Sequence, residues 1–122
     1  MPRTSALPPM NRPGTDELVA RYRLIRISRR HLLELADVAT PSPCSQVDPE
    51  AFHMQASPIG DQPNRAERKA LAICAGCPVL DLCLVRDMRE TKTPFELRGV
   101  RAGLRQSERR ALHLALGRAG EL

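Results

Sequence analysis

The stretch that decides the fold is CAGCPVLDLC, residues Cys74 to Cys83, which holds three of the four cysteines of this 122-residue chain. The fourth cysteine, Cys44, lies well upstream in the stretch TPSPCSQVDPEAF. The chain has no Trp, one Tyr and two Phe, so few large side chains are available to build a core. Domains with fewer than roughly 80 residues of ordered core usually rely on disulfides, a metal or a partner for stability. We therefore expect the four cysteines to act together as a cross-link that stabilises the fold, which we call a staple.

The chemistry of this staple depends on the compartment of the protein. The sequence shows neither a signal-peptide pattern nor a run of about 20 apolar residues that could cross a bilayer, which predicts a cytoplasmic protein without a membrane partner. Since disulfides are rare in the reducing cytoplasm, the cysteines are expected to be metal ligands or redox thiols.

Proline-rich segments divide the chain into a tail and a series of helices. Residues 1–15 contain four prolines and no apolar periodicity, which predicts a disordered tail. In residues 16–38 the apolar side chains recur at helical spacing, which predicts an N-terminal amphipathic helix. Arg23, Arg26 and Arg30 fall on one stripe of that helix.

Further helices are predicted around and after the cysteine stretch. Asn64 and Glu67 have the spacing of a capping box, and they begin a helix that ends near the first cysteine of the stretch. Pro78 is suited to the first position of the next helix, which would carry Cys83. Ser107 is a candidate cap for a last helix. The sequence therefore predicts a small all-α domain of four or five helices, with no convincing strand pair.

Four thiolates at this spacing suit two kinds of metal centre. A C-x2-C pair followed by x5-C and a distant cysteine satisfies both tetrahedral zinc and a cubane iron–sulfur cluster, in which each iron takes one thiolate. Zinc sites commonly use two cysteine pairs, whereas here the third local ligand lies within a predicted helix. The pattern therefore favours an iron–sulfur cluster, with a zinc-stapled interaction module as the alternative.

A redox pair is a second alternative. Cys74 and Cys77 form a C-x-x-C motif, which could serve a thiol–disulfide reductase through a lowered thiol pKa. This interpretation leaves Cys44 and Cys83 without a role, and the βαβ context expected of such a motif is absent from the sequence pattern.

Charge is unevenly distributed along the chain. The net charge is +5, and Lys and Arg outnumber Asp and Glu in residues 1–43 and 98–122 but not in residues 44–97. Basic ends of this kind suggest binding to a polyanion, although charge runs are more often ordinary solvated faces.

The residues around the cysteines resemble a known family. The order C…VDPEAF, CAGCPVLDLCL and RGVRAGLRQSERR is similar to that of the WhiB-like proteins, which are actinobacterial and actinophage iron–sulfur transcription regulators. The similarity covers residues 40–118, and all four cysteines fall in the family's order and spacing. The resemblance implies a small all-helical domain wrapped around a [4Fe-4S] cluster that is held by Cys44, Cys74, Cys77 and Cys83.

The resemblance also implies a function. Family members respond to nitric oxide and oxygen through the cluster, bind region 4 of a sigma factor and use a basic C-terminal segment on DNA. We therefore expect a redox- or nitric-oxide-responsive transcription regulator that is not an enzyme in the usual sense. The N-terminal helix, residues 16–38, has no counterpart in the family motif. The expected DNA-binding residues lie in the last helix, on its polar side, and next to it: Arg105, Arg109, Arg110 and Arg118.

One departure from the family pattern concerns the turn that contacts the sigma factor in family members, which we call the partner turn. The family turn usually reads Gly-(Val/Ile)-Trp-Gly-Gly, whereas this chain has Gly99, Val100, Arg101, Ala102 and Gly103. The tryptophan ring contributes to the sigma contact in family members, and buried aromatic anchors often carry on the order of 2 kcal/mol or more of interface energy. Arg101 is therefore expected to abolish, weaken or redirect that contact, or to add a contact to phosphate.

Overall fold

The computed structural model describes residues 8–27, 49–57 and 61–122 of the chain. Four α-helices are present in these ranges: α1 (Thr15–Ile27), α2 (Arg65–Ala75), α3 (Leu80–Glu90) and α4 (Gln106–Arg118). Two short 3-10 turns, Pro49–Phe52 and Pro94–Glu96, lie in the connections. Over the described residues the prediction of a small all-α domain is confirmed, and none of their helices is long and apolar enough to span a bilayer.

The N-terminal helix starts close to its predicted position. Leu18 donates its backbone N–H to the carbonyl of Gly14 at 3.1 Å, so Thr15 lies within the first turn and not at the cap position. The helix is described as far as Ile27, and the rest of the prediction, residues 28–38 with Arg30, lies outside the described residues.

The larger hydrophobic core lies between α1, α3 and α4. α1 contributes Leu18, Tyr22 and Ile25, at the spacing that the sequence predicted. Burying an apolar side chain of this size stabilises the fold by roughly 1.5–3 kcal/mol. α1 is therefore an integral part of the domain. The other buried members of this core are Leu84, Val85, Met88, Leu97, Ala102, Leu104, Leu112 and Leu116.

A second, smaller core lies beside α2. Its buried members are Ala70, Leu71, Cys74 and Val100, and the side chains of Met10, Phe52, Met54 and Leu80 pack against it. The cysteine stretch thus begins in the smaller core, whereas Cys83 packs against the larger one.

The start of α2 is the capping box that the sequence predicted. Asn64 Oδ1 accepts a hydrogen bond from the backbone N–H of Glu67 at 2.8 Å. Glu67 Oε1 accepts one in return from the backbone N–H of Asn64 at 2.9 Å. This reciprocal pair satisfies two backbone donors that a helix N-terminus otherwise leaves without partners.

The other two predicted helix starts are shifted. α3 begins at Leu80, so Pro78 lies in the preceding turn and not at the first helical position. α4 begins at Gln106, so the prediction that Ser107 caps it is wrong. Instead, the carboxylate of Glu108 accepts a hydrogen bond from the backbone N–H of the residue that precedes the helix, at 2.8 Å.

Candidate functional site

Three of the four predicted metal ligands line one cavity. Cys74 lies in the last turn of α2, Cys77 in the connection and Cys83 in α3. Cys74 is buried, and the other two are half-buried. Cys44 lies outside the described residues. The cavity has a volume of about 210 Å³, and its remaining lining residues are Phe52, Leu80, Arg101 and Ala102.

Backbone hydrogen bonds bring the three cysteines together. Cys77 donates its N–H to the carbonyl of Cys74 at 2.9 Å, which folds the two-residue spacer into a tight turn. Leu80 then donates to the carbonyl of Cys77 at 3.3 Å, and Cys83 donates to Val79 at 2.9 Å as α3 begins. The C-x2-C-x5-C spacing therefore places its ligands at a helix end, in a turn and in the first turn of the next helix.

The turn of residues 99–103 contributes another part of the cavity wall. Arg101 and Leu104 exchange both backbone hydrogen bonds, at 3.1 and 3.0 Å. Between them, Ala102 and Gly103 have φ angles of 56° and 74°. Two successive left-handed residues are typical of a type I′ turn, and Ala is an uncommon choice there because of its Cβ. The turn places Arg101 and Ala102 in the cavity wall.

The cavity is lined by thiol groups, which are the kind of donor that an iron–sulfur cluster uses. Thiolates are the usual protein ligands of such clusters, and three thiol groups line this wall. A volume of about 210 Å³ is far larger than the roughly 10–15 Å³ that accommodates one water molecule. Within the described ranges, no group of three His, Cys, Asp or Glu side chains is arranged to hold a metal ion.

Arg101 brings a positive charge to the cavity wall. Its guanidinium forms a hydrogen bond with Cys83, and its Nη1 lies 3.4 Å from Asp87 Oδ1. Burial lowers the pKa of Arg101, but the hydrogen bond to Cys83 and the nearby negative charges outweigh burial, so the pKa lies above its ordinary value. The side chain is 45% exposed, which places the charge between the cavity and solvent. From the sequence, Arg101 was predicted to affect the partner contact or to contact phosphate, and nothing in the sequence connects it to Cys83.

Arg109 is buried in an ion pair, so the prediction that it lies on the polar side of the last helix is wrong. Its Nη2 and Nε bond the two carboxylate oxygens of Asp87 at 2.6 and 2.7 Å. Its Nη1 donates to the carbonyls of Arg98 and Gly99 at 2.6 and 3.0 Å. The side chains of Arg109 and Asp87 are only 6% and 1% exposed.

Arg105 is buried in a second ion pair. Its Nε lies 3.2 Å from Glu67 Oε2, and its Nη1 donates to the carbonyl of Asp61 at 2.7 Å. Burial raises the pKa of Glu67, but hydrogen bonds from the Asn64 backbone, the Ser57 hydroxyl and Arg105 outweigh burial, so the pKa lies below its ordinary value. Arg105 thus joins the start of α4 to the start of α2.

Arg110 and Arg118 lie nearer the surface. Arg110 is half-buried, and its Nε donates to the carbonyl of Leu97 at 2.9 Å. It lines a cleft of about 680 Å³ together with Arg98, which was not among the predicted DNA-binding residues. Arg118 is exposed at the end of α4. The four predicted DNA-binding arginines therefore divide into a buried pair and a more accessible pair.

Comparison with protein families gives one match. The model of a family described as Transcription factor WhiB matches residues 39–112. The matched range contains all four cysteines, the turn of residues 99–103 and the first half of α4, whereas α1 lies outside it. Searches of the curated proteins and of the solved structures found no match. Since the matched range is more than half of the sequence and includes the residues that build the cavity, the chain belongs to the WhiB family of transcription factors.

Proposed function

We propose that this transcription factor holds a [4Fe-4S] cluster through Cys44, Cys74, Cys77 and Cys83, and that the cluster makes it responsive to redox state or nitric oxide. The observation that carries the proposal is the single cavity that three of these cysteines share. When bound, the cluster supplies one-electron chemistry and an iron centre that diatomic gases can attack.

The cysteines would couple ligand binding to the packing of the domain. Cys74 is buried in the smaller core, and Cys83 packs against the larger core. A cluster bound by both cysteines therefore connects the two cores, and its binding free energy contributes to folding. Loss of the cluster would change the surfaces that the domain presents to its partners.

Metal analysis of anaerobically purified protein tests the cluster. We expect a brown protein with about four iron and about four sulfide per chain, and loss of most of that iron in Cys77→Ser. Ala75→Ser is the matched control, because it adds a serine at an exposed position next to Cys74 in the same turn of α2. A colourless protein with one zinc would support the zinc-stapled module instead, and catalytic thiol turnover by the apo protein would support the reductase.

We propose further that DNA contact is made by Arg110 and Arg118. Guanidinium groups that reach the surface neutralise phosphates and give an affinity that falls with salt, with little sequence discrimination of their own. Arg105 and Arg109 would have to break buried ion pairs to reach a phosphate, which is strongly unfavourable. Their role in this proposal is to support the helix that presents the other two.

A salt titration tests the DNA contact. Binding of a labelled mixed-sequence duplex should weaken in the double variant Arg110→Gln/Arg118→Gln, and the slope of log affinity against log salt should fall by about one for each phosphate that is no longer neutralised. The control is Arg65→Gln/Lys69→Gln, which removes the same charge from exposed positions on α2. Equal effects of the two double variants would show that only net charge matters and would refute the assignment.

The sigma factor is the proposed protein partner, with the turn of residues 99–103 as the contact. Arg101 is partly exposed in this turn, at the position where the turn of the WhiB-like proteins usually has tryptophan. Because aromatic anchors dominate many interfaces, Arg101→Trp should tighten binding to sigma factor region 4 by about tenfold or more. The check is a fluorescence titration with that isolated region. Absence of binding by both proteins would remove the sigma factor from the proposal.

A further inference from the structure

We propose that Arg101 is a positioning residue of the cluster site, and that its guanidinium, held against the Cys83 sulfur, raises the reduction potential of the bound cluster. This inference rests on the proposed function, because it concerns the same cysteine cavity. It assigns to Arg101 a role inside the site, in addition to its place in the partner turn.

Arg101 and Cys83 line the same cavity, where a side-chain hydrogen bond links the guanidinium of Arg101 to Cys83. The Nη1 of Arg101 lies 3.4 Å from Asp87 Oδ1. Hydrogen bonds to ligating sulfurs and charges next to them are among the main determinants of iron–sulfur potentials. Arg101 supplies both a hydrogen bond and a positive charge at one proposed ligand, Cys83.

The position of the guanidinium is determined by a fixed anchor. Asp87 is 1% exposed, and Arg109 bonds both of its carboxylate oxygens. The backbone of Arg101 is itself held by two hydrogen bonds to Leu104. An anchored guanidinium loses less conformational freedom when it bonds a sulfur than a mobile surface side chain would.

The charge that faces Cys83 is positive on balance. Asp87 lies between two arginines, Arg101 and Arg109, so this group of three side chains carries one net positive charge. Glu90 also acts on Arg101, but it is exposed, and solvent screens its charge. Arginine stays protonated throughout the working pH range, so the effect does not depend on its titration.

A positive charge at this position favours the reduced cluster. Uptake of one electron makes the cluster and its thiolates more negative by one charge, and a nearby cation stabilises the more negative state. For a partly exposed charge at contact distance from a ligand, the effect corresponds to about a tenfold change in the equilibrium constant for reduction, which is about 59 mV for a one-electron couple.

The test compares variants that separate charge from shape. The full-length chain is loaded anaerobically and titrated with dithionite while the visible spectrum is recorded. Arg101→Met keeps the length of the side chain without its charge and should lower the equilibrium constant for reduction by about tenfold, whereas Arg101→Lys should retain most of it. Arg89→Gln is the charge control, because Arg89 is exposed on α3 and does not line the cavity.

Each outcome separates this inference from the cluster proposal. An unchanged potential in Arg101→Met at wild-type iron content overturns the inference and leaves the cluster in place. Equal shifts in the Met and Lys variants also overturn it, because they would show an effect of shape. A wild-type protein that never takes up iron overturns the proposed function itself. If Arg101→Met does not fold, Arg101→Gln provides the same uncharged comparison.

Discussion

Both carboxylate oxygens of Asp87 are bonded by the guanidinium of Arg109, at 2.6 and 2.7 Å, in an ion pair that is almost fully buried. The remaining nitrogen of Arg109 donates to the carbonyls of Arg98 and Gly99. One arginine on α4 therefore connects α3 to the turn that forms part of the cavity wall. Bidentate pairs of this kind combine strong hydrogen bonds with a fixed geometry.

Asp87→Asn should lower the free energy of unfolding by about 3–5 kcal/mol, because it leaves the charge of Arg109 buried without a counter-ion. The measurement is urea unfolding of the apo protein followed by circular dichroism. Asp81→Asn is the matched control on the same helix. Asp81 pairs with Arg21 at 2.9 Å, but both side chains are about one-third exposed, and such pairs contribute about 1 kcal/mol or less. Similar losses in the two variants would contradict a special role of the buried pair.

Local spacing explains what could be predicted from the sequence. The capping box of Asn64 and Glu67 depends on residues three positions apart, and it forms as expected. The buried state of Arg109 depends on Asp87, which is 22 positions away, and no local pattern signals that pairing. Arg109 and Arg110 are neighbours in sequence, but successive helical residues point about 100° apart, so one is buried and the other reaches the surface cleft.

At the cysteine site, too, the features set by local spacing could be predicted, and those set by long-range contacts could not. The spacing of Cys74, Cys77 and Cys83 predicted that two helices and their connection would bring these residues together, and the structure places all three around one cavity. The contribution of Arg101 could not be predicted, because it requires the turn of residues 99–103 to pack against α3. Tertiary contacts of this kind follow from the complete fold and not from a sequence window.

Gly99→Ala should destabilise the domain by at least about 2 kcal/mol. Gly99 has a φ of 69°, and a Cβ at this position would overlap the backbone carbonyl oxygen of Phe52. That same carbonyl accepts a hydrogen bond from Val100 at 3.1 Å, so it cannot move away without breaking the bond. Thermal unfolding of the apo protein measures the effect.

Gly103→Ala is the control for this substitution. Gly103 also has a left-handed backbone, with a φ of 74°, but its added Cβ would meet only side-chain atoms at ordinary contact distances of 3.4 Å and beyond. It should lose about 1 kcal/mol, the backbone conformational penalty alone. If both variants lose the same amount, the close approach of Gly99 to Phe52 is not important for stability.

The stability of the apo protein should fall in acid partly through Glu67. Because the folded-state pKa of Glu67 lies below its ordinary value, its charged form contributes stability above the unfolded-state pKa of about 4.3. This contribution is lost as the pH falls through the lower folded-state pKa. Urea unfolding at a series of pH values from neutral downward should show the decline.

Glu67→Gln identifies the source of that decline. The variant should be less stable at neutral pH, because Arg105 loses its buried partner, and its stability should depend less on pH in the acid range. Glu96→Gln is the control, since Glu96 is exposed in the 3-10 turn before the partner turn. If Glu67→Gln kept the full acid dependence of the wild type, other carboxylates would have to be responsible.

Removal of the bound cluster should lower the local stability of the smaller core more than that of the larger core. Among the described residues, the smaller core beside α2 has four buried members including Cys74, whereas the larger core between α1, α3 and α4 has eleven, none of which is a cysteine. Amide hydrogen exchange of the apo protein should therefore lose protection in α2 and residues 49–57 by about tenfold or more, while α1 and α4 keep most of theirs.

The comparison requires the anaerobically loaded protein as its reference. Exchange measured by mass spectrometry on both forms gives the change for each segment, and α1 serves as an internal control because its buried side chains belong to the larger core. A uniform loss of protection in all four helices would mean that the two cores unfold as one unit. In that case the cysteines would stabilise the whole domain, and the bound group could not act as a selective switch for the surface around α2.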